Sequence, residues 1–169
     1  LEISVRTLKE KHAASFQAAI DAGARSIMIN SGLINGYPVH VNYEILTQLL
    51  RNEMGFDGLI VTDWLDIENI HRRDKIVNSS KEAVKLAINA GIDMSMVPYK
   101  FSFCEYLIEL VNEGEVPIAR IDDAVKRILK LKFELGLFDQ PNTNAEEYEK
   151  FGSKEFEQTS LETALESIT

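Results

Sequence analysis

Residues 58–63, Gly-Leu-Ile-Val-Thr-Asp, constrain the fold more than any other stretch. Their centre is continuously apolar and β-branched, where a half-exposed strand would alternate apolar with polar. A strand of that kind is covered on both faces, which is the habit of parallel sheets. Two further stretches share its setting. Arg25-Ser26-Ile27-Met28-Ile29-Asn30 follows Gly23, and Ile92-Asp93-Met94-Ser95-Met96-Val97 follows Gly91. Gly23, Gly58 and Gly91 fall about one βα unit apart, a unit of about 30 residues.

Helical patterns fill the intervals. A first helix is expected over residues 8–22, opened by the capping-box form Thr7-Leu8-Lys9-Glu10 and stopped by Gly23. Asn42 suits the cap of a second, in which Ile45, Leu46, Leu49 and Leu50 share a face before Gly55 ends it. A loop with Gly32, Asn35, Gly36 and Pro38 precedes it, and a polar stretch is expected over 66–78. Ser79 and Glu82 form a second capping box for a helix over 81–90. A fourth helix is expected over 102–112. A fifth runs from near Ile121, with Asp122 and Asp123 in its first turn, to near Gly136. Alternating helix and strand give an α/β fold with a parallel sheet.

Three strands close neither common parallel architecture. A doubly wound sheet usually has five, and a (β/α)8 barrel takes about 250 residues. The expectation is a piece of a larger fold, with missing strands supplied elsewhere. Residues 139–143 read as a linker, and an amphipathic helix is expected over 153–168.

Composition narrows the partners. The chain is 45% hydrophobic with a formal charge of −9, so it is globular and repels phosphate backbones and anionic lipid. Nucleic acid and membrane are therefore not expected partners; a neutral ligand is not disfavoured. The single cysteine, Cys104, excludes an internal disulfide and, among apolar neighbours, reads as a buried small hydrophobe.

Parallel α/β folds place chemistry at the carboxyl ends of the strands. That rule selects residues 28–31, 62–64 and 94–98. Asp63 stands out: it ends the apolar strand and precedes the only tryptophan, Trp64. A carboxylate can attack or stabilise an anomeric carbon while an indole packs on a pyranose face. Two other readings stay open at this point. Asp63 could cap the next turn beside a packed tryptophan, or it could be a metal-binding or phospho-acceptor aspartate. The last lacks the acidic cluster that normally accompanies it.

In order along the chain, the motifs resemble family 3 of the glycoside hydrolases. Ser26-Ile27-Met28-Ile29 and Asn35-Gly36-Tyr37-Pro38-Val39-His40 are similar to that family's strand and Asn-Gly-x-Pro-x-His loop. Residues 46–64, from Leu46-Thr47 through Gly58-Leu59-Ile60-Val61-Thr62-Asp63-Trp64, resemble its nucleophile signature. Residues 90–96, 116–129 and 132–138 are similar to the blocks that follow.

The resemblance implies a β-glucosidase- or β-xylosidase-like retaining enzyme that acts on an oligosaccharide or β-glycoside, with no cofactor and no metal. Residues 1–139 would be the C-terminal half of a TIM-like catalytic barrel, roughly its last three strands. Residues 140–169 would be the linker and start of a second α/β sandwich domain. Asp63 would be the nucleophile, with the acid/base outside this chain. Trp64, Met28 and Ser31 match positions that contact or line the sugar pocket. Ser31 departs from the aromatic many members carry there, which leaves the sugar preference open. Asp93, His40 and Asn35 are expected to hold loops together, Arg120 and Asp122 to form a helix-start ion pair, and Asp66 and Glu68 to be solvated. The chain alone is expected to be inactive. A non-catalytic sugar-binding half-barrel is the alternative. The resemblance makes a secreted or periplasmic location plausible; the sequence itself names no compartment.

Overall fold

The computed structural model describes residues 1–142 and 148–168. It falls into two compact units, Leu1–Glu134 and Leu135–Thr169. The first holds the sheet. Residues 5–21 form α1, built from the successive runs Val5–Thr7, Leu8–Ala13 and Ala14–Asp21. It starts earlier than the Thr7 pattern implied. Ser4, in extended backbone, accepts from Thr7 N at 3.1 Å, whereas the Thr7 side chain caps nothing. Gly23, with φ +95°, ends the helix as expected.

Strand β1 (Ser26–Met28) leads to a short hairpin, β2 (Leu33–Ile34) and β3 (Tyr37–Pro38). Its two-residue turn is Asn35-Gly36, both left-handed at φ +52° and +76°. Asn-Gly is the residue pair such a turn favours, so the expected loop is in fact a hairpin. Helix α2 (Glu44–Glu53) follows, and the Asn42 side chain accepts from Ile45 N at 3.2 Å, as its cap. Strand β4 (Leu59–Val61) then pairs parallel with β1, in the register Ser26↔Leu59, Ile27↔Ile60 and Met28↔Val61. Gly58 is required here, because a Cβ would lie 2.4 Å from the Arg25 carbonyl oxygen.

The expected third strand is reduced to one parallel bridge, Val61↔Met94. Its main-chain bonds, Met94 N to the Ile60 carbonyl and Thr62 N to the Met94 carbonyl, are supplemented by side chains. The Asp93 carboxylate accepts from Ile60 N at 3.0 Å, and the Thr62 hydroxyl accepts from Met96 N at 2.8 Å. The sheet is parallel, but two paired strands and a bridge stand where three strands were expected.

Helices α3 (Asp66–Arg72), α4 (Ser80–Ala90), α5 (Ser102–Asn112) and α6 (Ile118–Glu134) complete the unit. Helix α3 corrects the expected polar stretch over 66–78. Ser79 caps α4 by accepting from Glu82 N at 3.2 Å. The core joins Ala83, Ala87 and Ile88 of α4 to Leu46, Ile60, Ile70 and Ile92. Alanines on α4 let it lie close to the turn at residues 39–41 and to α2. Each fully buried Ile or Leu contributes about 1.5–3 kcal/mol. The sheet's other face is open: Met28 and Met94 are exposed and Val61 is half-buried between them.

Two side-chain expectations are overturned by where their helices point. Cys104 is exposed, because α5 turns Phe103, Leu107 and Leu110 inward instead. Arg120 does not pair with Asp122. Because α6 begins at Ile118, Arg120 reaches the base of the sheet and meets Asp93 at 2.8 Å, with Asp123 at 3.5 Å.

In the second unit, α7 (Lys154–Glu166) is capped by Ser153, which accepts from Phe156 N at 3.3 Å. Its residues are all exposed, so it has no buried apolar stripe. Thr143, the end of the expected linker, lies outside the described residues.

Candidate functional site

Asp63 stands at the carboxyl end of β4, where the sheet ladder stops. Thr62 N still donates to the Met94 carbonyl at 3.0 Å. Asp63 N does not continue that pattern; it donates to His40 Nε2 at 3.2 Å. Its carboxylate is half-buried, and Oδ1 accepts from Trp64 N at 2.6 Å. The turn-capping role considered for Asp63 is thus present in one oxygen. Among the described residues Oδ2 has no hydrogen-bond partner. Trp64 is 51% exposed and meets the Tyr99 ring edge-on, centroids 6.1 Å apart and planes at 88°. Leu65 is left-handed (φ +60°), which folds the chain sharply into α3.

Behind this turn lies a buried polar group that sequence reasoning placed in solvent. Asp66 is 2% exposed. Its Oδ1 accepts from Ser31 Oγ and Asn69 Nδ2, both at 2.8 Å, and Arg73 Nη1 lies 3.5 Å away. Among the described residues its Oδ2 has no hydrogen-bond partner; it lies 3.6 Å from His40 Nδ1. Arg73 Nη1 also donates to Ser31 Oγ at 2.9 Å. Glu68 is likewise not free in solvent: its carboxylate pairs with Arg72 at 2.7 Å and Lys100 at 3.7 Å.

His40 is almost wholly buried. Burial holds its imidazole below the ordinary value near 6.5, against the opposing pull of the Asp66 and Asp63 charges. The ring is therefore neutral at pH 7. Nε2 accepts the Asp63 amide, so the proton sits on Nδ1, facing Asp66.

The expected site residues thus divide. Asp63 and Trp64 stand together at the strand mouth. Met28 lies on the same open face, in register with Val61. Ser31 is tied into the support beneath. His40, Asn35 and Asp93 act structurally, as expected; Asn35 accepts from Ile3 N at 2.7 Å and donates to its carbonyl at 2.9 Å. Asp66, Arg73 and Tyr99 were missed. Asp66 carried one signal, an acid placed three residues before Asn69 at a helix start. Four cavities formed by the described residues all leave Asp63 outside their linings. An open sheet of this size makes a platform rather than a pocket. No group of three His, Cys, Asp or Glu among the described residues is placed to hold a metal ion.

The model of the glycosyl hydrolase family 3 N-terminal domain matches residues 1–131. The chain belongs to glycosyl hydrolase family 3. Among family 3 relatives, it is 46% identical to a lysosomal beta glucosidase of Dictyostelium discoideum, over 99% of this chain and 21% of that protein. It is 32% identical to a periplasmic beta-glucosidase of Salmonella typhimurium, over 92% of this chain and 19% of that protein. Solved family structures agree. A β-glucosidase involved in saponin metabolism from intestinal bacteria superposes with TM-score 0.83 and 34% identity, over 95% of this chain and 21% of that one. The β-glucosidase of Listeria innocua gives TM-score 0.78 and 31% identity, over 83% and 19%. The chain spans about a fifth of the length of the relatives it matches. The mixed helices and small parallel sheet fit part of an α/β barrel.

Proposed function

We propose that the full-length protein is a retaining, exo-acting β-glycosidase, most simply a β-glucosidase, with Asp63 as its nucleophile. The observation that carries this reading is a half-buried carboxylate at the carboxyl end of a parallel strand, beside a half-exposed indole. The names of its relatives support the substrate class.

On this reading Asp63 Oδ2 attacks the anomeric carbon as the glycosidic C–O bond breaks. The leaving oxygen takes a proton from a second carboxyl group, set about 5–5.5 Å from the first. Water, deprotonated by that second group, then releases the sugar and restores Asp63. The Trp64 Nε1-bearing ring packs on the apolar face of the sugar, and Met28 forms part of the wall. Ser31 steadies Asp66 and Arg73 at the edge of that wall. The second carboxyl comes from a second α/β sandwich domain, of which residues 140–169 are the linker and start, and the remaining barrel strands close the pocket around Asp63. Residues 1–139 are then the C-terminal half of the barrel, and these 169 residues alone are inactive.

The test is Asp63→Ala in the full-length protein, assayed with an aryl β-glucoside. Loss of a nucleophile removes several kcal/mol of transition-state stabilisation, so kcat falls by at least about a thousandfold. Turnover within tenfold of the parent would end this reading.

A further inference from the structure

Asp63 is held by two contacts with different origins. Its side chain is fixed locally, through the amide of the next residue. Its backbone is fixed from a distance, by a side chain 23 positions earlier. At this point the sheet offers no main-chain acceptor: the last sheet bond is Thr62 N to the Met94 carbonyl, and Leu65 N next picks up the Met96 carbonyl at 3.1 Å. Between those two anchors His40 is, among the described residues, the one acceptor for the Asp63 amide.

We propose that His40 is a positioning residue for Asp63, its unprotonated Nε2 holding the nucleophile's backbone while Nδ1–H is directed at the buried carboxylate of Asp66. The proposal rests on the reading of Asp63 as nucleophile. The geometry requires one tautomer only. An N–H on Nε2 would face the Asp63 N–H, donor against donor. Asp66 selects the working form: Ser31 and Asn69 occupy its Oδ1, which leaves Oδ2, buried and otherwise unpartnered, 3.6 Å from Nδ1. A negative oxygen on that side favours the proton on Nδ1. The two aspartates of the turn thus act in series, Asp66 setting the ring and the ring setting Asp63. His40 itself touches neither sugar nor reacting atoms.

The experiment compares His40→Leu, His40→Gln and His40→Asn with the parent and Asp63→Ala, all in the full-length protein with an aryl β-glucoside. A glutamine carbonyl oxygen reaches the place of Nε2; leucine has no acceptor, and an asparagine oxygen stops at the place of Nδ1. Misplacing a reacting group by about 1 Å costs about a hundredfold. His40→Leu and His40→Asn should therefore lose about a hundredfold in kcat with KM within about threefold, whereas His40→Gln should keep at least a tenth of parental kcat. Should leucine prevent folding, the two amides alone decide the matter. Equal kcat for glutamine and asparagine, a change confined to KM, or failure of all three variants to fold would each overturn the proposal. An inactive Asp63→Ala beside a fully active His40→Leu would reject the positioning role and leave the nucleophile in place. An active Asp63→Ala would reject both.

Discussion

Arg120 and Asp93 are joined at the base of the sheet through both partners' surroundings. Arg120 Nη2 donates to Asp93 Oδ1 at 2.8 Å and to the Ile92 carbonyl at 2.6 Å, while Nε reaches the Ile88 carbonyl at 3.1 Å. The other Asp93 oxygen takes Arg51 Nη2 at 2.5 Å and Ile60 N at 3.0 Å, and Arg127 approaches Oδ1 at 3.4 Å. One carboxylate, wholly buried, thereby ties α2, β4 and α6 to a single point. Removing it takes the shared carboxylate from three guanidinium groups, none more than about a fifth exposed.

Asp93→Ala should therefore destabilise the protein by about 3–5 kcal/mol, the range for breaking a buried pair. Asp123→Ala, which removes a half-exposed partner of Arg120 and Arg127, should cost less than about 1 kcal/mol. Urea midpoints of the two variants measure the difference. Equal midpoints would show that Asp93 is not the fastening point.

Stability should also fall with acid, and His40 fixes the direction. Its folded-state value is lowered by burial, with Asp66, Asp63 and Asp74 pulling it up and Arg73 pulling it down. The unfolded chain thus binds a proton that the folded chain refuses. The ring opposes folding little above its ordinary value near 6.5, and increasingly as pH falls below it toward the lowered one. Melting temperatures of the parent and His40→Gln across pH 7 to 5 should diverge, the parent losing more. Parallel curves would contradict this.

Trp64 should matter to binding more than to folding. Half its surface is exposed and, among the described residues, its one ring partner is Tyr99. Trp64→Ala in the full-length protein should leave the melting temperature within a few degrees of the parent. Loss of an aromatic contact worth about 0.5–1.5 kcal/mol should raise KM for an aryl β-glucoside about two- to tenfold. An unchanged KM would remove Trp64 from the sugar platform.

The frame of the molecule was legible because its signals are local. The glycine at 23, the cap at Ser79 and the apolar run at 59–61 each act within a few residues, and each stands where the pattern put it. The placement of Asp63 and Trp64 at the strand mouth was legible for a related reason: the apolar run of β4 itself marks where the strand ends. The residues behind them were not. Asp66 looks solvated in sequence because an acid beside Glu68 and Asn69 is usually exposed; its burial follows from Ser31 and His40, more than 25 positions away in the chain. Arg120 was paired with Asp122 because they are near neighbours, whereas its partner Asp93 lies 27 positions back. The third strand was overestimated for the same cause, since the bonds that supplement its short ladder come from the side chains of Asp93 and Thr62.

The left-handed bend at Leu65 has a consequence for how this corner tolerates change. Because the chain reverses within one residue, two identical acids three positions apart are sent to opposite climates, one to the wet threshold and one to the dry interior. Their chemistry differs only by address. A lengthening of the corner by a single residue would exchange no side chain, yet it would carry Asp66 away from Ser31 and His40.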